Sequence, residues 1–172
     1  IGPSLVPTEV VVPLASFAAV IDEINTKIKQ PFILEVMLGK GDKVVMLGFI
    51  PHDERTLAFN LAFALSLSVI KIAKAHGGAA YSTGLYFRRE AESVLGAGRV
   101  AALRRFKAEH DPKDILNPGK VIGSGGVLDL IMGSAAAFEG LVRPIANAAK
   151  APDGPGDLTK EVNGIPGDVA FM

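Results

Sequence analysis

Apolar and polar positions along this chain change period several times, and each change marks an element. Glu9–Leu14 (EVVVPL) is a short β-type run. Phe17, Val20, Ile21, Ile24 and Ile28 then recur at helical spacing, and Pro31 ends that segment. Phe32–Leu38 and Lys43–Ile50 read as two strands joined by Gly39-Lys40-Gly41-Asp42, which has hairpin-turn chemistry. Pro51-His52-Asp53-Glu54 predicts a helix entry, with acidic groups placed favourably against the first-turn dipole. A long helix follows from about Arg55 to Ala75 and is stopped by Gly77-Gly78.

A further strand at Ala79–Tyr86 completes the order β-α-β-β-α-β. That order predicts an α+β fold of the ferredoxin-like plait type, an antiparallel sheet with two helices on one face. Arg99–Glu109 adds a helix beyond the plait. Residues 1–122 are expected to form this domain. Residues 123–150 are an Ala-rich helical extension that Pro144 kinks or splits, and 151–172, rich in Pro, Gly and Asp, are a linker or tail.

Two segments are denser in structural punctuation than the rest. Phe106–Ile122 reads FKAEHDPKDILNPGKVI. Asp111-Pro112 closes one helix and has the chemistry to open a short second one, Ile115-Leu116 offers an apolar anchor, and Asn117-Pro118-Gly119-Lys120 turns the chain sharply. Upstream, Gly77-Gly78-Ala79-Ala80-Tyr81-Ser82-Thr83-Gly84-Leu85-Tyr86 is a glycine-rich turn. Read on physics alone, the corner is a helix-terminating loop. The same residues, in this order and over roughly positions 8–122, resemble the C-terminal domain of FAD-linked oxidases. These flavoenzymes are similar to D-lactate dehydrogenase and the large subunit of glycolate oxidase, within the vanillyl-alcohol oxidase superfamily.

The resemblance implies a cap, or substrate-binding, domain of the plait kind. It also implies oxidation of a small 2-hydroxy acid such as lactate or glycolate by hydride transfer to FAD. Electrons would pass on to an iron–sulfur protein, an electron-transfer flavoprotein or a quinone. The FAD itself would be held mainly by a preceding domain. Nothing in these residues resembles that domain, so a piece of a larger enzyme, inactive by itself, is expected. The alternative is a non-catalytic docking scaffold in a larger redox complex, and a second is an independent ligand-binding plait module.

Tyr81, Thr83, Tyr86, Arg88 and Arg89 cluster beside the glycine-rich turn. Under the resemblance Arg88 would hold the substrate carboxylate and Tyr81 would assist proton removal. Asn117 and Lys120 would approach the flavin, where a lysine stabilises reduced anionic flavin. Their structural alternatives are core-edge aromatics, the start of a solvated helix and an exposed lysine after a turn. His76 is more simply read as a cation at a helix C-terminus. A related branch places a Glu-His-Gly triplet after the Gly-Gly pair and binds a divalent metal; here Ser82-Thr83-Gly84 stands in its place, and His52, His76 and His110 lack ligand spacing, so no metal is expected.

Bulk composition narrows the remaining classes. Eighteen basic and eighteen acidic residues argue against a nucleic-acid-binding protein. Residues 71–120 nonetheless hold ten Lys/Arg against five Asp/Glu, a local positive surface suited to a small anionic substrate. With no cysteine, the chain carries no iron–sulfur cluster, thiolate zinc or disulfide. The uncharged run Thr56–Ile70 is too short to span a bilayer and reads as a buried helix. A phosphate loop, a nucleophile elbow and a dinucleotide fingerprint are all absent. A cytoplasmic enzyme, at most peripheral to the membrane and homo-oligomeric, is the expectation.

Overall fold

The computed structural model describes residues 4–84, 87–122 and 138–149. Four strands, β1 (Ser4–Pro13), β2 (Ile33–Gly39), β3 (Lys43–His52) and β4 (Ala79–Ala80), form one antiparallel sheet in the order β2-β3-β1-β4. With α1 (Phe17–Lys27) and α2 (Leu57–Ala75) as crossovers, this is the α+β plait the periodicity predicts. The helices that follow are α3 (Ala91–Leu95), α4 (Ala97–His110) and α5 (Glu139–Ala148).

Burial alternates along β1 and along β3 as far as Ile50, after which Pro51 and His52 are buried as well. Val6, Thr8, Val10 and Val12 of β1 and Val44, Met46 and Ile50 of β3 are buried, and they share a core with Val20, Ile24, Leu65, Val69 and Ala73 of the helices. Gly48 belongs to this inner row. A Cβ there would stand 2.4 Å from Phe32 Cζ and 2.6 Å from Thr8 Cγ2, so glycine makes room for the Phe32 ring. The outer row, with Leu5, Pro7, Glu9 and Val11 of β1 and Val45, Leu47 and Phe49 of β3, lies outside that core and stays part-exposed.

Strand β1 begins five residues earlier than Glu9, where the sequence pattern places it. Pro7 does not interrupt it, and Ser66 Oγ of α2 donates to the Pro7 carbonyl at 2.7 Å. The N and C=O of one strand residue point to the same flank, so the missing N–H falls on the side away from β3 and removes no ladder bond. Pro51-His52 is the end of β3 rather than a helix entry, and α2 starts only at Leu57. The entry is built one step later. Asp53 accepts from the backbone N–H of Arg55 at 3.0 Å and from its guanidinium at 2.8 and 2.7 Å, bonds that draw the Asp53 carboxyl down to about 2.

Helix α2 is long and apolar enough to cross a membrane by length and composition, yet ten of its residues are buried inside the fold, as a core helix requires. It ends at Gly77 (φ 79°) with Gly77 N–H donating to Lys74 and Gly78 N–H to Ala73, the paired bonds of a Schellman stop. Arg99–Glu109 lies within α4, and Pro112 starts no second helix; Asp114 N–H bonds back to the Asp111 carbonyl in a turn. Helix α5 includes Pro144 and falls within the expected extension; residues 123–137 and the tail from 150 lie outside the described residues.

Helix α5 docks by its polar side. The buried Glu139 accepts from Ser68 Oγ at 2.7 Å, Arg143 at 2.8 Å and Lys71 at 3.3 Å. Burial pushes the Glu139 carboxyl up, but these hydrogen bonds and the Arg143 and Lys71 charges outweigh it and leave the group below its ordinary value. At the other end, Gln30 Nε2 donates to the carbonyls of Ala146, Asn147 and Ala149, and His52 lies 3.2 Å from the Ala149 carbonyl. Because His52 Nδ1 accepts from Asp53 N–H, its proton sits on Nε2, aimed at Ala149. Phe138, Leu141 and Ile145 remain on the exposed side.

Candidate functional site

The glycine-rich turn is shaped by how closely the end of α2 must approach the sheet. A Cβ on Gly78 would meet the Val11 carbonyl oxygen at 2.5 Å and the Ala73 carbonyl oxygen at 2.9 Å. Only glycine lets the chain pass directly from helix stop to strand. Ala79 and Ala80 then pair with Val11 and Val10, and Tyr81 N–H adds one more bond to the Glu9 carbonyl at 3.0 Å. The strand expected over 79–86 stops there. Ser82 Oγ turns back to the Glu9 carboxylate, and Thr83 Oγ1 donates to the Phe87 carbonyl at 3.3 Å, which curls the chain away from β1. Leu85 and Tyr86 lie outside the described residues.

Tyr81 is about half exposed at the sheet rim. It lines a cleft of ≈460 Å³ together with Val11, Pro13, Asp42, Lys43 and Ser93. That volume suits a small molecule and is at the low end for a binding cavity. Strand alternation puts Tyr81, Glu9 and Val11 in the outer row, on the side of the sheet away from the core.

Beyond the buried Phe87, a single 3-10 turn (Arg88–Glu90) is fastened at both ends. Glu90 pairs with Lys74 of α2. Arg88 Nη1 donates to the Gly119 carbonyl at 2.6 Å, which brings the glycine-rich turn and the Asn117-Pro118-Gly119-Lys120 corner together across the intervening helices. Arg89 is exposed on the same turn.

The corner has its own scaffold. Lys107 Nζ reaches the carboxylates of Asp111 and, at 2.8 Å, Asp114, and donates to the Leu116 carbonyl at 2.6 Å. Hydrogen bonds to Asp111 and Asp114 raise the Lys107 ammonium above its ordinary value, and the Lys107 bond and the Ile115 N–H lower the Asp111 carboxyl. Asp111 also accepts from Ile115 and Leu116 N–H at 2.8 and 2.9 Å. Asp114, Asn117 and Gly119 all adopt positive φ, at 52°, 48° and 65°. This bonding holds the left-handed residues in place and leaves Ile115 and Leu116 about two-thirds exposed. Asn117 and Lys120 are exposed at its tip.

Residues 2–121, carrying both of these motifs, match the family described as FAD linked oxidases, C-terminal domain. The chain belongs to that family. No curated protein matches the sequence significantly. As an FAD-linked oxidase C-terminal domain, the chain is part of an FAD-linked oxidoreductase. The match ends at the corner, and α5 lies beyond the matched residues.

The geometry of this FAD-linked oxidase domain joins Arg88 to the corner and sets Tyr81 on the sheet rim. His76 pairs with Glu23 of α1 at 2.7 Å and so ties the two plait helices, and His110 stacks on Phe106. Sequence reasoning passed over Glu9 and Lys107. Glu9 is a carboxylate in an otherwise apolar outer row, and Lys107 sits four residues before Asp111; both spacings were readable signals.

Proposed function

We propose that this domain forms the substrate-facing wall of an FAD-dependent oxidoreductase acting on a small 2-hydroxy acid. The observation that carries the reading is the outer sheet row, largely apolar and part-exposed, with Tyr81 at its rim. A sheet face left outside the core needs another surface to cover it. The residues fit a wall over a flavin rather than a cradle for one. Asn117 and Lys120 project from an exposed corner, and the ≈460 Å³ cleft has room for a small acid.

Arg88, oriented by its bond to Gly119, presents its guanidinium to the substrate carboxylate. Tyr81 meets the substrate hydroxyl and carries its proton away as the C–H bond breaks. The outer row excludes water from the reacting carbon. Lys120 places positive charge at the corner, where reduction would build negative charge. Bound FAD supplies the two-electron acceptor, and electrons then leave to an iron–sulfur, electron-transfer flavoprotein or quinone partner.

The test is the visible spectrum of the complete enzyme before and after D-lactate or glycolate. Flavin bands that bleach on addition support the reading. Flavin bands indifferent to every small 2-hydroxy acid overturn the substrate, and a colourless protein overturns the enzyme in favour of a scaffold.

A further inference from the structure

Strand β2 is an unguarded edge. It closes one end of the sheet, with β3 on one flank and no strand on the other among the described residues. Its seven residues, ILEVMLG, pair with β3 in unbroken register from Ile33 to Gly39, without a bulge. No proline or lysine interrupts it, and Glu35 is its single charge. Ile33, Val36, Met37 and Leu38 are all exposed, so both faces of the strand are bare apolar surface. Natural sheets protect such edges with charge, proline, bulges or short length, and β2 has only the one charge of Glu35.

We propose that β2 is the dimer seam, and that a second copy of this chain adds its own β2 antiparallel to form a continuous eight-stranded sheet. The strand is complementary to itself. A two-fold axis through Val36, perpendicular to the sheet, places Val36 against Val36 and Leu34 against Leu38 on the helix side. On the outer side it sets Ile33 against Gly39 and Met37 against Glu35 of the other copy. The two glutamates are thereby kept from facing each other, and the other strong register, centred on Glu35, is rejected by like-charge repulsion. This axis keeps the helices of both copies on one side and joins their outer apolar rows on the other. It gives the expected homo-oligomer a surface, and it stands whether or not the substrate assignment holds.

The chain has no cysteine, so single cysteines read the register cleanly. Directly opposed residues in an antiparallel pair lie about 4.5–5.5 Å apart at Cα, within disulfide reach, whereas positions offset along the strand do not. Val36→Cys is expected to oxidise to a covalent dimer much faster than Leu38→Cys, although Leu38 is the more exposed at 79% against 42%. The untreated 172-residue chain is expected to sediment at twice its 18.0 kDa mass. Val36→Lys, which sets like charges face to face, is expected to weaken the dimer about tenfold or more with an unchanged circular dichroism spectrum. A monomer at every concentration, a dimer indifferent to Val36→Lys, or crosslinking that follows exposure rather than register would each overturn the seam.

Discussion

Arg88 Nη1 donates a 2.6 Å hydrogen bond to the carbonyl oxygen of Gly119, a residue thirty-one positions away along the chain. The bond joins the two stretches that carry the family resemblance, and it fixes the guanidinium that the proposed function assigns to the substrate carboxylate. In the complete enzyme, Arg88→Lys is expected to raise KM for the hydroxy acid by about ten- to a hundredfold, the loss of a charge-assisted bond. Steady-state kinetics measure it, and an unchanged KM would remove Arg88 from the substrate.

Lys107 gathers Asp111, Asp114 and the Leu116 carbonyl into one knot. Lys107→Met leaves those acceptors without their cation and is expected to loosen the corner alone. Amide hydrogen exchange at Ile115 and Leu116, whose N–H groups rest on Asp111, should quicken by about tenfold, on the scale of one lost hydrogen bond. The core strands should keep their protection. Equal protection in the variant would show that the corner holds itself without the lysine.

Glu139 fastens α5 through Ser68, Lys71 and Arg143. Its carboxyl is held below the ordinary value of 4.5, so its contribution is present above that pH and is lost as pH falls through the folded value. Glu139→Gln is expected to destabilise the protein at neutral pH by about 1–3 kcal/mol, because Ser68, Arg143 and Lys71 lose a charged acceptor and one of its two oxygens becomes a donor. The difference from the native chain should shrink below pH 4.5. Thermal melts at pH 7 and pH 4 decide this, and a gap that stays constant with pH would rule out the ionised carboxylate as its source.

Gly78 and Gly84 separate crowding from composition. An added methyl at Gly78 collides with the Val11 and Ala73 carbonyl oxygens, whereas at Gly84 nothing among the described residues lies within 4 Å. Gly78→Ala is expected to cost about 1–3 kcal/mol and Gly84→Ala under about 0.5 kcal/mol. Denaturant titrations of the pair measure it; similar midpoints for the two variants would contradict the close approach.

The plait was legible because short β-type runs alternate with helical periodicity and its turns use the residues turns need. Glu9–Leu14 reads as β, Gly39–Asp42 closes a hairpin, and Gly77-Gly78 stops a helix. What escaped was set by contacts distant in sequence. The start of β1 at Ser4 rests on pairing with β3 up to His52, and Pro7 fits there because its missing N–H falls on the flank away from β3. The pattern at Pro51–Glu54 has cap chemistry, yet pairing of Ser4 and Leu5 with His52 and Pro51 keeps those residues in the sheet. The last strand was overextended because local β character persists past Tyr81, whereas Ser82 and Thr83 bond so as to turn it away. The clasp between Arg88 and Gly119 has no local signature in the sequence.

Helix α4 buries a single residue, Val100, while Leu103, Phe106, Ile115 and Leu116 along the helix and its corner stay exposed. Such an arm opens without disturbing the sheet, so its order is a quantity separate from the stability of the plait. Ordering the arm and joining its neighbour then become one thermodynamic event, and whatever surface covers Phe106 and Leu116 in the assembled enzyme sets how long the arm stays closed. Heating the cap by itself should melt α4 and its corner first, with the strands following as a second, independent transition.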